Sequence, residues 1–146
     1  MAVADVIAID VLLEPDARML AHAEAHNARL RRDFPQSFAL DDAHRPHITL
    51  LQCFVAPGDL PALVDALGAV IGAAGITTMP LEAVRYGYTP GPGMGIAGIW
   101  AAVTPALLAL QVNVIAAARP FMRDTGTIAA FTADHGNPAF DAALIA

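Results

Sequence analysis

Hydrophobic and polar positions in the first half of the chain predict a strand followed by a helix. The apolar run over residues 3–13 is typical of a buried strand. Residues 15–32 then repeat apolar side chains every three or four positions, which predicts an amphipathic helix beginning near Pro15. The stripe of this helix consists of Leu20, Ala23, Asn27, Leu30 and Phe34.

The same pattern continues through the rest of the chain. Residues 47–55 and 95–104 predict strands, with one or two short strands within 76–88 and a loop at 89–93. Further helices are predicted over residues 60–74 and 105–118. A strand followed by proline and a helix occurs twice, around Pro15 and around Pro105, which indicates a weak internal duplication.

The strand beginning near His47 carries candidate chemistry. Side chains alternate faces along a strand, so His47 and Thr49 share one face while Ile48 and Leu50 point toward the core. An imidazole can transfer a proton near neutral pH, and a hydroxyl can donate a hydrogen bond to a phosphoryl oxygen. A surface histidine on a half-buried strand is the alternative interpretation, because His-x-Thr tripeptides are common.

The segment Pro46-His47-Ile48-Thr49-Leu50, following a first strand and helix, resembles the first motif of the 2H phosphoesterase superfamily. That superfamily includes 2′-5′ RNA ligase-like proteins and 2′,3′-cyclic phosphodiesterases, and its members carry two His-x-Thr/Ser motifs. The resemblance implies an α+β, two-lobed fold with antiparallel sheets and outer helices. Lobe one would cover about residues 1–75 and an incomplete lobe two about 76–146.

The resemblance also implies a reaction. Two histidines would share acid and base duties on a 2′,3′-cyclic phosphate or a 2′-5′ phosphodiester of RNA or a nucleotide, without metal or other cofactor. His47 and Thr49 would be catalytic residues, with Thr49 and Arg45 binding phosphate. An exposed loop arginine is the alternative for Arg45. Possible stacking surfaces for a base are Tyr86, Tyr88 and Trp100, although such residues more often belong to a core or its rim.

The sequence holds only one such motif. No second His-x-Thr or His-x-Ser follows, and a helical pattern beginning at Phe140 has no stop signal before Ala146. We therefore expect a fragment or shortened relative that is a poor catalyst alone. His135 is a candidate for the second histidine, and an exposed turn histidine is its alternative. A non-catalytic nucleotide- or phosphate-binding module of the same fold is the alternative function.

Charge limits the partners. The net charge is −6 and all eight basic residues are arginines, which argues against broad binding to a nucleic-acid backbone and leaves room for a small nucleotide or RNA end. Residues 86–118 lack charge, but glycine, proline, glutamine and asparagine interrupt them, so we expect a strand and a helix rather than a membrane span. The oligomeric state stays open.

Cysteine content and the N-terminal residues bear on the compartment. Cys53 is the only cysteine, which suits a reducing environment, and its apolar neighbours predict a small buried side chain rather than a nucleophile. Asp5 and Asp10 lie where a signal peptide would carry basic residues. Together these features predict a cytoplasmic protein.

His22 and His26 raise a different class of function, metal binding. Their spacing of four places both imidazoles on one side of the predicted helix, where they could share a metal ion. The pair does not fit the metalloprotease pattern, because no glutamate directly follows the first histidine. A solvated helix face is the more common explanation for such a pair, so we expect no metal here.

Overall fold

The computed structural model of the chain describes residues 6–42, 44–91 and 94–131. Within them the chain is an α+β protein with antiparallel strand pairing. In chain order the elements are β1 (Ile7–Leu13), α1 (Ala17–Asp33), β2 (Ile48–Val55), α2 (Leu60–Ala74), β3 (Ala83–Gly91), β4 (Met94–Ala101), α3 (Pro105–Ala118) and β5 (Met122–Arg123). His135 and the helical pattern at Phe140 lie outside the described residues.

The chain divides into two compact units that interleave along the sequence. Among the described residues, the first unit contains 6–11, 49–77 and 109–131, and the second contains 12–42, 44–48, 78–91 and 94–108. The division of the sequence into lobes of about 1–75 and 76–146 stays a prediction.

The first unit contains a three-stranded sheet in the order β1-β2-β5. β2 and β5 pair antiparallel, with Phe54 opposite Arg123 and Val55 opposite Met122. Apolar burial concentrates on β2, α2 and α3, whose buried side chains are Leu50, Val55, Leu63, Leu67, Leu110, Val114 and Ala118. The Gln111 side chain of α3 donates a 3.1 Å hydrogen bond to the backbone carbonyl of Leu50, which ties α3 to the centre of β2.

Both helices of the apolar core have the bounds that the sequence predicts. α2 is followed by Gly75, whose φ of 61° lies in the left-handed region that terminates many helices and favours glycine. α3 begins directly after Thr104, whose hydroxyl accepts a hydrogen bond of 3.1 Å from the Leu107 amide. This contact satisfies one of the amides that the first turn of a helix leaves without a backbone partner.

In the second unit, α1 begins two residues later than the sequence predicts. The carboxylate of Asp16 accepts a 2.8 Å hydrogen bond from the Met19 amide, so Asp16 is the N-cap and Pro15 lies outside the helix. Arg31 and Arg32 occupy the last turn, where positive charge complements the helix dipole. Leu20 is the buried member of the predicted apolar stripe.

The second unit also contains a hairpin of β3 and β4, paired from Ala83 opposite Ala101 to Gly91 opposite Met94. The predicted loop at 89–93 is wrong for residues 89–91, which continue β3, because cross-strand pairing outweighs their turn-forming composition. In a two-stranded hairpin each strand has one edge without a neighbouring strand. Pro90, which has no amide hydrogen to donate, is tolerated at such an edge. A Cβ on Gly87 would collide with the indole of Trp100, so a larger residue there would force the indole to move.

Among the described residues of the uncharged stretch 86–118, β4 and α3 confirm the predicted strand and helix. Within the described ranges, one helical stretch, Pro57–Ala74, has the length and apolar composition needed to cross a membrane, with a mean hydropathy of 1.2. Core helices of soluble proteins have the same properties, so this is weak evidence for membrane insertion.

Candidate functional site

The predicted motif lies where β2 begins, with Thr49 inside the strand and His47 directly before Ile48, its first residue. Both side chains are exposed, Ile48 between them is partly buried, and Leu50 is only 4% exposed. This alternation is the one expected for a strand with one face on a core. The pattern confirms that Leu50 anchors the strand while His47 and Thr49 point away from the core.

The ring of His47 has a defined orientation. Its Nδ1 lies 2.7 Å from the backbone carbonyl oxygen of Arg45, and a carbonyl can only accept, so Nδ1 carries the hydrogen of this bond. In the neutral ring the proton-accepting atom is then Nε2. A backbone contact of this kind sets the tautomer that a general base requires.

Thr49 has a carboxylate partner that the sequence analysis missed. Its hydroxyl donates to the Asp10 carboxylate over 3.3 Å, and the side-chain amide of Gln52 donates to the same oxygen over 3.0 Å. Asp10 belongs to β1 and is exposed, in contrast to the partly buried apolar positions before it. A charged residue inside an apolar strand was the available signal, but sequence spacing alone could not pair it with Thr49.

Arg45 is engaged in an ion pair. Its guanidinium lies 3.0 Å from the carboxylate of Glu14, and both side chains are close to half exposed. Exposed pairs of this kind contribute little to stability, so a phosphate could compete with Glu14 for the guanidinium. The predicted phosphate-binding role of Arg45 therefore requires displacement of an existing partner.

A second polar cluster lies in the second unit, where α1 faces β3. The Tyr86 hydroxyl lies 2.9 Å from Nε2 of His22 and 2.6 Å from Nε2 of His26. The two imidazole rings meet edge to face, with their centroids 4.5 Å apart. Sequence analysis identified the histidine pair but not Tyr86 as its neighbour. In the described part of the chain, no three His, Cys, Asp or Glu side chains group closely enough to hold a metal ion.

Asn27, which the sequence places in the apolar stripe of α1, makes polar contacts with the loop that follows the helix. Its side-chain amide donates a 2.9 Å hydrogen bond to the carbonyl of Phe38, and its carbonyl accepts a 3.1 Å bond from the amide of Leu40. Asn27 thus holds the loop that leads toward His47, which explains a polar residue at a helix position predicted to face the core.

Cys53 on β2 is partly buried, and burial raises the pKa of its thiol. A raised pKa reduces the thiolate fraction at neutral pH, and the thiolate is the nucleophilic form. The position therefore favours a packing role over a catalytic one.

Comparisons of this chain with protein-family models, curated proteins and solved structures found no match.

Proposed function

We propose that His47 and Thr49 form one half of a 2H-type phosphoesterase site, acting on a 2′,3′-cyclic phosphate or a 2′-5′ phosphodiester of RNA or a nucleotide. The observation that carries this proposal is the hydrogen bond from His47 Nδ1 to the Arg45 carbonyl. It fixes the ring and assigns proton acceptance to Nε2, as general base catalysis requires. Exposure of both His47 and Thr49 supports access by a substrate.

The proposed step uses His47 as the proton-transfer group. Nε2 removes a proton from water as its oxygen attacks phosphorus and the bond to the leaving oxygen breaks. The leaving oxygen takes a proton from solvent or from a second acid on the opposite side of phosphorus, and the imidazolium of His47 releases its proton to solvent. One general acid or base of this kind contributes about 10²–10⁴ in rate. The substrates fit the acidic chain because a single phosphate needs few positive contacts, whereas a nucleic-acid backbone needs many.

Thr49 has the second role. Its hydroxyl would turn from the Asp10 carboxylate to donate to a non-bridging phosphate oxygen, where negative charge develops during the reaction. Gln52 would continue to donate to Asp10, so that carboxylate would keep a partner during the exchange. Arg45 would release Glu14 to contact the phosphate.

A non-catalytic phosphate- or nucleotide-binding module is the second candidate. The observation that favours it is that the sequence contains a single His-x-Thr motif, whereas general acid and base duties require two groups. In this alternative His47 and Thr49 bind the ligand, and turnover stays negligible because groups that act as a unit lose most of their effect when one is missing.

One experiment tests both candidates. Hydrolysis and equilibrium binding of 2′,3′-cyclic AMP are measured for the wild type, His47→Ala and His44→Ala. His44 is a matched control, because it is another exposed histidine and its side chain contacts Asp41. Turnover lost only in His47→Ala supports the phosphoesterase, whereas His47-dependent binding without turnover supports the module.

The remaining outcomes count against the proposal. If the wild type neither binds nor hydrolyses the cyclic nucleotide, the His47 and Thr49 site is not a phosphoester site. Binding or turnover that survives in His47→Ala leads to the same conclusion. Both substitutions lie at exposed positions, so melting temperatures should change little and loss of function should not reflect unfolding.

A further inference from the structure

Three donor atoms converge where α1 meets β3. The Tyr86 hydroxyl lies within 2.9 Å of Nε2 of His22 and within 2.6 Å of Nε2 of His26. The two histidines are one helical turn apart, so the helix itself presents them side by side. Tyr86 comes from the hairpin, 60 residues beyond His26, and supplies a third donor that the sequence pattern could not reveal.

We propose that His22, His26 and Tyr86 bind a divalent transition-metal ion of the Zn²⁺ or Cu²⁺ type. This site is independent of the phosphoester function proposed for His47 and Thr49. From the sequence alone no metal is expected at this histidine pair, because a solvated helix face is the more common explanation for such spacing. Tyr86 changes that expectation, since three protein ligands leave coordination positions for water, as in catalytic zinc sites.

The spacing of the donors suits a shared ion. Metal bonds of about 2.1 Å that meet at about 90–110° place neighbouring ligand atoms about 3.0–3.4 Å apart. The contact between Tyr86 and His22 is close to this range, and the contact between Tyr86 and His26 needs to open by a few tenths of an ångström. Exposed side chains such as Tyr86, which is 60% exposed, can make such an adjustment.

The ligand chemistry selects the ion. Imidazole nitrogen suits Zn²⁺, Cu²⁺ and Ni²⁺, whereas Mg²⁺ and Ca²⁺ prefer oxygen ligands. Two neutral imidazoles and a phenolate would leave a net charge of +1 on the complex, with water or a small anion completing the coordination. His22, Arg85 and Tyr86 line a cavity of about 190 Å³. This cavity has room for the water or small anion that would complete the coordination.

The protons of the cluster must rearrange before it can hold an ion. In the metal-free cluster one tyrosine proton serves two contacts, so the Tyr86 hydroxyl donates to one imidazole and accepts from the other. To hold the ion, the one imidazole that donates to Tyr86 would have to take the tautomer with its proton on Nδ1, as the other imidazole already does, and the phenol proton would pass to solvent.

The test uses the full chain without a polyhistidine tag, since a tag would bind the same ions. Zn²⁺ is titrated by calorimetry, and Cu²⁺ by visible absorption, in which a coordinated phenolate gives a charge-transfer band. We expect saturable binding of one ion per chain and a band that Tyr86→Phe abolishes while the aromatic ring is retained. Tyr86→Phe should also weaken Zn²⁺ binding about tenfold or more.

Two further variants separate a built site from incidental binding. His26→Ala should abolish stoichiometric Zn²⁺ binding, because a single histidine and a tyrosine would remain. His44→Ala, which alters an exposed histidine outside the cluster, should leave affinity unchanged. The proposal is overturned if the wild type binds no Zn²⁺ at a 1:1 ratio, if Tyr86→Phe binds as tightly as the wild type, or if His44→Ala weakens binding as much as His26→Ala.

Discussion

The hydroxyl of Thr49 donates a 3.3 Å hydrogen bond to the carboxylate of Asp10, which lies 39 residues earlier in the chain. Because Gln52 donates to the same oxygen, the Asp10 carboxylate accepts hydrogen bonds from two side chains of β2. The carboxylate thus positions the Thr49 hydroxyl. Its negative charge would repel an anion that accepted a hydrogen bond from the same hydroxyl. Asp10 is therefore the residue that should tune phosphate binding at this site.

We expect Asp10→Asn to bind 2′,3′-cyclic AMP more tightly than the wild type. The asparagine carbonyl can still accept from Thr49, but the negative charge is gone. For an anion bound about 5 Å from the carboxylate, the removed repulsion is about 0.8 kcal/mol in water, or about fourfold in affinity. Binding should be measured at low and high salt, because screening should reduce the difference.

Asp65→Asn is the matched control for that variant, since Asp65 is an exposed aspartate of α2 and the change in net charge is identical. It should leave nucleotide affinity close to that of the wild type. Equal tightening in both variants would mean that only net charge matters. Weaker binding by Asp10→Asn would mean that the carboxylate helps to hold the ligand site together.

Adjacent positions of α2 should differ sharply in their effect on stability. Leu63 is completely buried whereas Val64 is 57% exposed. We expect Leu63→Ala to lower the free energy of unfolding by about 2–5 kcal/mol, through lost burial and a residual cavity. Val64→Ala should change it by less than about 0.5 kcal/mol. Chemical denaturation of both variants is the measurement, and similar losses would contradict the assignment of the buried face of α2.

Local sequence pattern was sufficient to predict α2 and α3 with their bounds. Both are bordered by residues with strong local preferences, a turn before Leu60, glycine at position 75 and proline at 105. The hairpin was harder to predict, because proline and glycine at 90 and 91 favour a turn locally and enter β3 only through pairing with β4. Propensity describes one segment, whereas strand pairing depends on two.

The candidate sites follow the same division between local and long-range information. The exposed positions of His47 and Thr49 could be predicted, since alternation along a strand is a local property. Their partners could not, because Asp10 approaches Thr49 through strand order and Tyr86 approaches the α1 histidines through placement of the hairpin. Contacts between residues 39 to 64 positions apart carry no local sequence signal.

Cys53 should make the stability of the folded chain depend on alkaline pH. Burial raises the pKa of its thiol, so in an unfolding equilibrium the exposed thiol of the unfolded chain loses its proton first. This contribution to stability is fully present below the pKa of an unfolded thiol, about 8.5, and is lost as the pH rises through the folded pKa. We therefore expect the free energy of unfolding to fall more steeply above about pH 8 in the wild type than in Cys53→Ala. Denaturant titrations of both proteins under reducing conditions from about pH 7 to 10 make this comparison. Parallel pH profiles would show that the thiol ionises equally in the folded and unfolded chains, and would contradict a desolvated position for Cys53 on β2.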